Sequence, residues 1–289
     1  MSDNGSVGIV YNPRSAGSLP IVQELAQELG LGESAWIVPT RTGETDDPPP
    51  STSLLITVGG DGTILWATQF AAPREIPILG VNLGRVGFLT ELRADEAVNR
   101  VRDFLDGNVW VEERSMLQAT VVSQANGRSP AHQALNDVVV GRRAISRLAH
   151  LEVKIDDALL TTYRADAVIL ATATGSTGYS ISAGGPVLHP ESRDMLLNPV
   201  ATHLGLASAI VLAPESVVEV AIRSDYTAAL SVDGRADMDL APGDVVEIVR
   251  SPLIARFLRA NPPNHFYSVL TERLNPEIRT TSYAAAPRP

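Results

Sequence analysis

Leu54-Leu55-Ile56-Thr57-Val58-Gly59-Gly60-Asp61-Gly62-Thr63 decides how the first part of the chain folds. The residues up to Val58 are a nearly continuous apolar run with no polar alternation. A strand with water on one face alternates; a strand covered on both faces does not, and the second pattern belongs to parallel α/β sheets. The glycines then break the run, and Ile64 to Ala72 has the spacing of a helix. In an open α/β sheet, ligands bind at the carboxyl ends of the strands, where this turn falls.

The same alternation surrounds it. Val7-Gly8-Ile9-Val10-Tyr11 stops at Asn12-Pro13, and Pro20 to Gly30 follows with Ile21, Leu25 and Leu29 at helical spacing. Trp36-Ile37-Val38 and Ile76 to Val81 read as strands, and Ala94 to Leu105 as a helix ending near Gly107. Roughly the first 105 residues therefore predict a doubly wound α/β domain. Gly43 to Ser53, with Asp46-Asp47-Pro48-Pro49-Pro50, has no periodicity and reads as an exposed loop.

The character changes near Val109. Leu117–Val122, Ala134–Val140, Leu148–Ile155, Ala167–Leu170, Ala209–Leu212, Val217–Ile222, Ala228–Val232 and Val245–Val249 read as strands following one another. Asn126-Gly127 and Asp156-Asp157 are turn signals between them. The expected plan is an α/β domain over 1–106, joined by a C-terminal segment 264–289, and a β-rich, β-sandwich-like domain over 107–263. His265 to Leu274 reads as an amphipathic helix, with Phe266, Val269 and Leu270 on one face, that packs back on the first domain. Ser282 to Pro289 is Ala/Pro-rich and reads as a disordered tail.

The chain has 289 residues, enough for one or two domains with real cores. It carries 23 Lys+Arg against 33 Asp+Glu, a net charge of −10, and Lys154 is its one lysine. Lys154 lies in Val153-Lys154-Ile155, so a lysine-bearing P-loop is excluded. The acidic balance argues against broad binding to nucleic acids or anionic membranes. There is no cysteine, so no disulfide, thiolate nucleophile or thiolate metal site. The five histidines, His132, His150, His189, His203 and His265, show no metal-ligand spacing and read as structural or surface residues. No run approaches the roughly 18 apolar residues of a membrane helix. Met1-Ser2-Asp3-Asn4-Gly5-Ser6 has no signal-peptide pattern, and a cytoplasmic protein is the expectation.

Two stretches carry chemistry. At Gly59, Gly60, Gly62 and Thr63 missing or small side chains let backbone N–H groups approach a phosphate, and the following helix adds its positive N-terminal end. The same residues also suit a tight turn in which Asp61 caps the helix. Asp61, amid glycines, is open to a ligand and has a second possible role: it could orient a hydroxyl and accept its proton during phosphoryl transfer. Thr174-Gly175-Ser176-Thr177-Gly178-Tyr179-Ser180-Ile181-Ser182-Ala183-Gly184-Gly185-Pro186 gathers small residues and hydroxyls. That composition suits a ribose, amide or phosphate, with Tyr179 able to stack on a ring; the bland alternative is a Ser/Thr-rich connection.

Taken together, Gly59-Gly60-Asp61-Gly62-Thr63, Asn82-Leu83-Gly84-Arg85-Val86-Gly87-Phe88-Leu89, Leu135-Asn136-Asp137-Val138-Val139, Tyr163-Arg164-Ala165-Asp166 and Thr174 to Pro186 resemble the NAD kinase family in order and spacing. The glycine turn alone resembles lipid kinases and phosphofructokinases too, and Asn12-Pro13-Arg14-Ser15-Ala16-Gly17 resembles the start of diacylglycerol-kinase-like chains. The Gly/Ser/Thr segment makes the likeness specific. The resemblance implies phosphoryl transfer from ATP, another nucleoside triphosphate or polyphosphate to the adenosine-ribose 2′-hydroxyl of NAD, with Mg²⁺ carried by the donor and no protein metal site.

It further implies that Asp61 is the proton acceptor with Gly62 beside it, and that Asn136 and Asp137 contact the adenosine portion. Thr174, Thr177, Gly178, Tyr179, Ser180 and Ser182 would lie along the NAD site, and Arg147, Arg164, Asp166 and Arg235 would be further nucleotide contacts. In the family the site lies between domains and is completed by neighbouring subunits, so a homodimer or homotetramer is implied. Three departures stand out: Asp137 in place of the usual Glu, Trp66 where a basic residue is common, and Arg235 where Gln is common. A non-catalytic NAD(P) sensor and a lipid kinase on the same scaffold are the alternatives.

Overall fold

The computed structural model describes residues 6–32, 35–40, 47–84, 87–107, 109–123, 125, 127–144, 147–203 and 206–274. The chain divides into two compact units, one of residues up to Glu112 with those from Arg256 on, the other Glu113–Ala255. The return to the first unit thus falls within a strand, earlier than the expected boundary at 264. The expected tail, the start of the chain, part of the proline-rich loop, Arg85, Val86 and Asn126 lie outside the described residues.

The first unit runs β1 (Ser6–Tyr11), α1 (Ser18–Glu28), β2 (Ile37–Pro39), β3 (Thr52–Val58), α2 (Asp61–Ala71), β4 (Ile78–Asn82), β5 (Leu92–Arg93) and α3 (Ala94–Leu105). Its strands are parallel, in the order β2-β1-β3-β4 with β5 also on β4. β4 is buried at every residue, as its unalternating sequence requires. Helices cover the sheet through spaced apolar residues, such as Ala97, Val101 and Phe104 of α3. At the start of α3 the Glu96 carboxylate accepts the Arg93 N–H (3.0 Å), one half of a capping box. Ile9, Leu25, Ile56, Leu79, Val101 and Phe104 share the core.

The chain continues with β6 (Trp110–Ser123), β7 (Gly127–Arg128), β8 (His132–Ala134), β9 (Asp137–Arg142), β10 (Ala149–Ile155), β11 (Ala158–Ala165) and β12 (Ala167–Ala171). Then come α4 (Tyr179–Ser182), β13 (Met195–Val200), β14 (Ile210–Leu212), β15 (Val218–Ile222), β16 (Ala228–Val232), β17 (Ala236–Leu240), β18 (Val245–Arg259) and α5 (His265–Leu274). The second unit is built from antiparallel sheets. One has the order β11-β10-β15-β18, with β6 on β18; the other has the order β14-β13-β12-β9-β16-β17. Inward residues such as Leu151, Tyr163, Leu170, Leu197, Val220, Leu230 and Val246 form one core.

Asp156 and Asp157 take φ values of 50° and 65° between β10 and β11, the geometry of a tight two-residue hairpin. The expected strand Ala134–Val140 is two strands, because Leu135 and Asn136 leave the ladder between β8 and β9. α2 starts at Asp61 rather than Ile64, so the carboxylate sits in the helix's first turn.

Candidate active site

In the first unit the carboxyl ends of β1, β3 and β4 lie side by side. The Asn12 N–H donates to the Val58 carbonyl (3.0 Å) and the Gly59 N–H to the Val81 carbonyl (2.9 Å). Gly60 is the N-cap of α2. A Cβ added at Gly60 or Gly62 would meet no atom within 4 Å, so these glycines leave a bare surface rather than room for a neighbouring side chain. Thr63 is different: its hydroxyl is buried under Gly59 and has no hydrogen-bond partner. Its expected place among the phosphate contacts is corrected, since it lies beneath the loop.

The carboxylate of Asp61 accepts the Phe88 N–H at Oδ2 (3.2 Å) and the Leu89 N–H at Oδ1 (3.4 Å). Gly87 makes this approach possible, because a Cβ there would stand 1.9 Å from Oδ1. Two amides therefore aim a carboxylate at the N-terminus of a helix, an arrangement suited to take a proton from a hydroxyl while phosphate sits on the helix end. Trp66, further along α2, packs on Phe70 with ring centroids 4.7 Å apart and the rings tilted by 42°. α5 meets the same region: the Phe266 ring lies 6.4 Å from the Phe88 ring and Arg273 is over it at 5.1 Å, although no α5 residue is fully buried.

In the second unit, Asn136 and Asp137 meet the Gly/Ser/Thr segment. The Thr172 N–H donates to the Asn136 carbonyl (2.9 Å), and the Thr172 hydroxyl donates to the Leu135 carbonyl (2.6 Å). Gly175 packs so closely that a Cβ would lie 1.9 Å from the Asn136 carbonyl oxygen. A short 3₁₀ turn, Gly175–Thr177, leads into α4. The Tyr179 N–H donates to the Asp137 carboxylate. Asp233 shapes the same turn: its carboxylate accepts the N–H groups of Leu135 (2.9 Å), Asn136 (2.7 Å) and Asp137 (3.2 Å). Burial first, and the charge of Asp233 second, push the Asp137 carboxyl up to about 7. Burial also raises Asp233. Arg235 stands 3.8 Å from Asp233.

The other expected contacts divide. Tyr179 and Ser182 are exposed, Thr177 and Gly178 are half-buried, and Thr174 is buried with its hydroxyl accepting from Arg114 (3.1 Å). Ser180 is fully buried and hydrogen-bonded to Asn198 (3.2 Å), so its expected ligand contact is corrected to a brace within the fold. Asp166 pairs with Arg142 (3.0 Å), and an open cavity of ≈ 320 Å³ runs past both to Tyr179 and Ser231. Arg164 stands exposed on β11 opposite His150, and Arg147 lies over the Tyr226 ring at 5.3 Å. Asp233 and Arg142 escaped sequence reading; the Asp233-Gly234 doublet was the available signal, and nothing local marks Arg142.

Among the described residues no group of three or more His, Asp and Glu could hold a metal ion, and no helix is long and apolar enough to cross a membrane.

Two family models match the chain, the ATP-NAD kinase N-terminal domain over residues 49–109 and the ATP-NAD kinase C-terminal domain over 135–260. The NAD kinase of Dehalococcoides mccartyi (strain CBDB1) is 39% identical over 274 residues, 93% of this chain and 95% of that one. The NAD kinase of Chloroflexus aggregans is 41% identical over 275 residues, 93% of this chain and 98% of that one. An NAD kinase from Archaeoglobus fulgidus, solved in complex with ATP, matches with a TM-score of 0.72 and 26% identity, over 92% of this chain and 97% of that one. Yeast NADH kinase, solved with NADH, matches with a TM-score of 0.82 over 99% of this chain and 90% of that one; at 23% identity that likeness speaks to the fold. These relatives give no support to the lipid-kinase or sensor alternatives.

Proposed function

This chain belongs to the NAD kinase family, and on that premise we propose how its own residues divide the work. The protein transfers the γ-phosphoryl group of ATP to NAD, giving NADP and ADP. In the proposed reading Asp61 accepts the proton of the adenosine-ribose 2′-hydroxyl as that oxygen bonds to phosphorus and the bond from the γ-phosphorus to the β–γ bridging oxygen breaks. The Phe88 and Leu89 amides hold the carboxylate in line for it. The bare backbone at Gly60 and Gly62, with the N-terminus of α2, receives phosphate oxygens.

Asn136, Asp137, Gly178, Tyr179 and Ser182 contact the dinucleotide, with Asp233 keeping the 135–137 turn in shape. Mg²⁺ would be carried by the triphosphate, whose phosphate oxygens the bare Gly60 and Gly62 backbone and the N-terminus of α2 receive. Its chemistry is to neutralise charge on the transferring phosphoryl group. Polyphosphate as an alternative donor belongs to the same reading, as does a cytoplasmic homodimer or homotetramer.

The observation that carries the reading is the amide-held carboxylate of Asp61 beside bare glycines at a helix N-terminus. Asp61→Asn is the test. Turnover should fall by roughly a hundredfold or more, while calorimetry shows NAD affinity retained. Full activity in that variant would remove Asp61 from the role.

A further inference from the structure

We propose that Arg259, with Glu91 and Glu112, is a positioning residue for the transfer step, fixing the 88–89 backbone whose N–H groups aim Asp61; the inference rests on the reading of Asp61 given above. Arg259 ends β18, and its side chain is 8% exposed, against 4% for Glu91 and 9% for Glu112. Its Nε donates to Glu112 Oε2 (2.8 Å), and its Nη1 donates to Glu91 Oε2 (3.2 Å) and to the Leu89 carbonyl (2.9 Å). Leu89 is thus held at its carbonyl by Arg259 and gives its N–H to Asp61.

The rest of the loop is fastened from the same side. The Glu91 N–H donates to the Gly80 carbonyl (2.8 Å), and the Gly87 N–H to the Thr90 hydroxyl (2.6 Å). Glu91 Oε1 accepts the N–H groups of Ala260 and Asn261 (2.9 Å each) and the Asn261 side-chain amide (2.8 Å).

Stability alone does not account for this arrangement. Two carboxylates and one guanidinium are withdrawn from water, and such groups are often no better for stability than apolar packing of the same volume. What the network supplies is a fixed position. The loop has little slack, because Gly87 already lies so near Asp61 that a Cβ would stand 1.9 Å from its Oδ1. A shift of the loop by an ångström either pushes the carboxylate aside or releases it. Transfer rates respond strongly to misplacement on that scale, while nucleotide binding, spread over other residues, responds weakly.

Arg259→Lys keeps a cation but cannot hold Leu89, Glu91 and Glu112 together. Glu91→Gln keeps an acceptor for Ala260 and Asn261 while weakening the hold on Arg259. Both variants are assayed by steady-state kinetics with Mg-ATP and NAD, with melting curves to establish folding at the assay temperature. The expected result is a kcat lowered roughly ten- to hundredfold, with KM for NAD and for ATP within about threefold of native. In the Asp61→Asn background the same substitutions should change the residual rate by less than about twofold, since their effect passes through Asp61.

A folded variant with kcat within about twofold of native overturns the proposal, as does a loss equally large in both backgrounds. If neither variant folds, the network is a stability element and the proposal falls. If Asp61→Asn itself retains full turnover, the reading of Asp61 fails first; if it loses turnover while Arg259→Lys does not, only the brace fails.

Discussion

At the residue scale, the buried carboxylates of the second unit make a statement about pH. An ordinary Asp titrates near 3.8, and Asp137 is pushed up to about 7 by burial and then by Asp233. Between those values the folded chain keeps a proton that the unfolded chain has released. The contribution of this group to stability is therefore full below about pH 4 and lost as pH rises through 7. Asp137→Asn is neutral throughout and escapes that loss. We expect it to be more stable than the native chain at pH 8, by roughly 2–4 kcal/mol in the absence of nucleotide, with the difference much smaller at pH 5 and closing below about pH 4. Melting curves at the two pH values measure this; an offset equal at both would contradict it. Asp137 was legible in the sequence from its Asn-Asp pair. Its environment was not, because Asp233 lies 96 residues away and only the fold brings its carboxylate to the 135–137 amides.

At the element scale, α2 separates the demands of folding from those of the ligand. Gly62 lies in its first turn, exposed, with open space where a Cβ would go. Alanine is the better helix former, so Gly62→Ala should leave stability unchanged or raise it by up to about 1 kcal/mol. The added methyl occupies the bare surface assigned to the nucleotide, and kcat/KM should fall at least about tenfold. Thermal melts and initial rates on one preparation test both halves; unchanged kinetics would show that no ligand approaches there.

The elements that were readable share a cause. β3, β4 and α3 carry strong single patterns, unbroken apolar runs or a regular stripe, and appear near where those patterns lie. β11, β13 and β17 were not anticipated. β11 and β17 are edge strands with polar outward residues such as Thr162, Arg164 and Asp239, and β13 contains Pro199, so local propensity is silent where cross-strand pairing decides. Ser180 and Thr63 were misread for a related reason, since composition cannot tell a hydroxyl facing a ligand from one turned into the fold.

At the scale of the whole molecule, one lysine and a net charge of −10 suggest poor equipment for phosphate chemistry. They exclude only the lysine P-loop. Backbone at Gly60 and Gly62, a helix N-terminus and a donor that brings its own cation need no lysine. Metal removal should then separate activity from stability: with EDTA in excess, turnover stops while the melting temperature of the free protein stays the same. A fall in melting temperature would mean a structural metal site in the chain. The central claim is that this protein phosphorylates NAD with Asp61 as the proton acceptor. It is tested most directly by incubating the native chain and Asp61→Asn with NAD and Mg-ATP and measuring NADP by chromatography. The native chain should yield NADP and the variant almost none. No NADP from the native chain, or equal amounts from both, would contradict it.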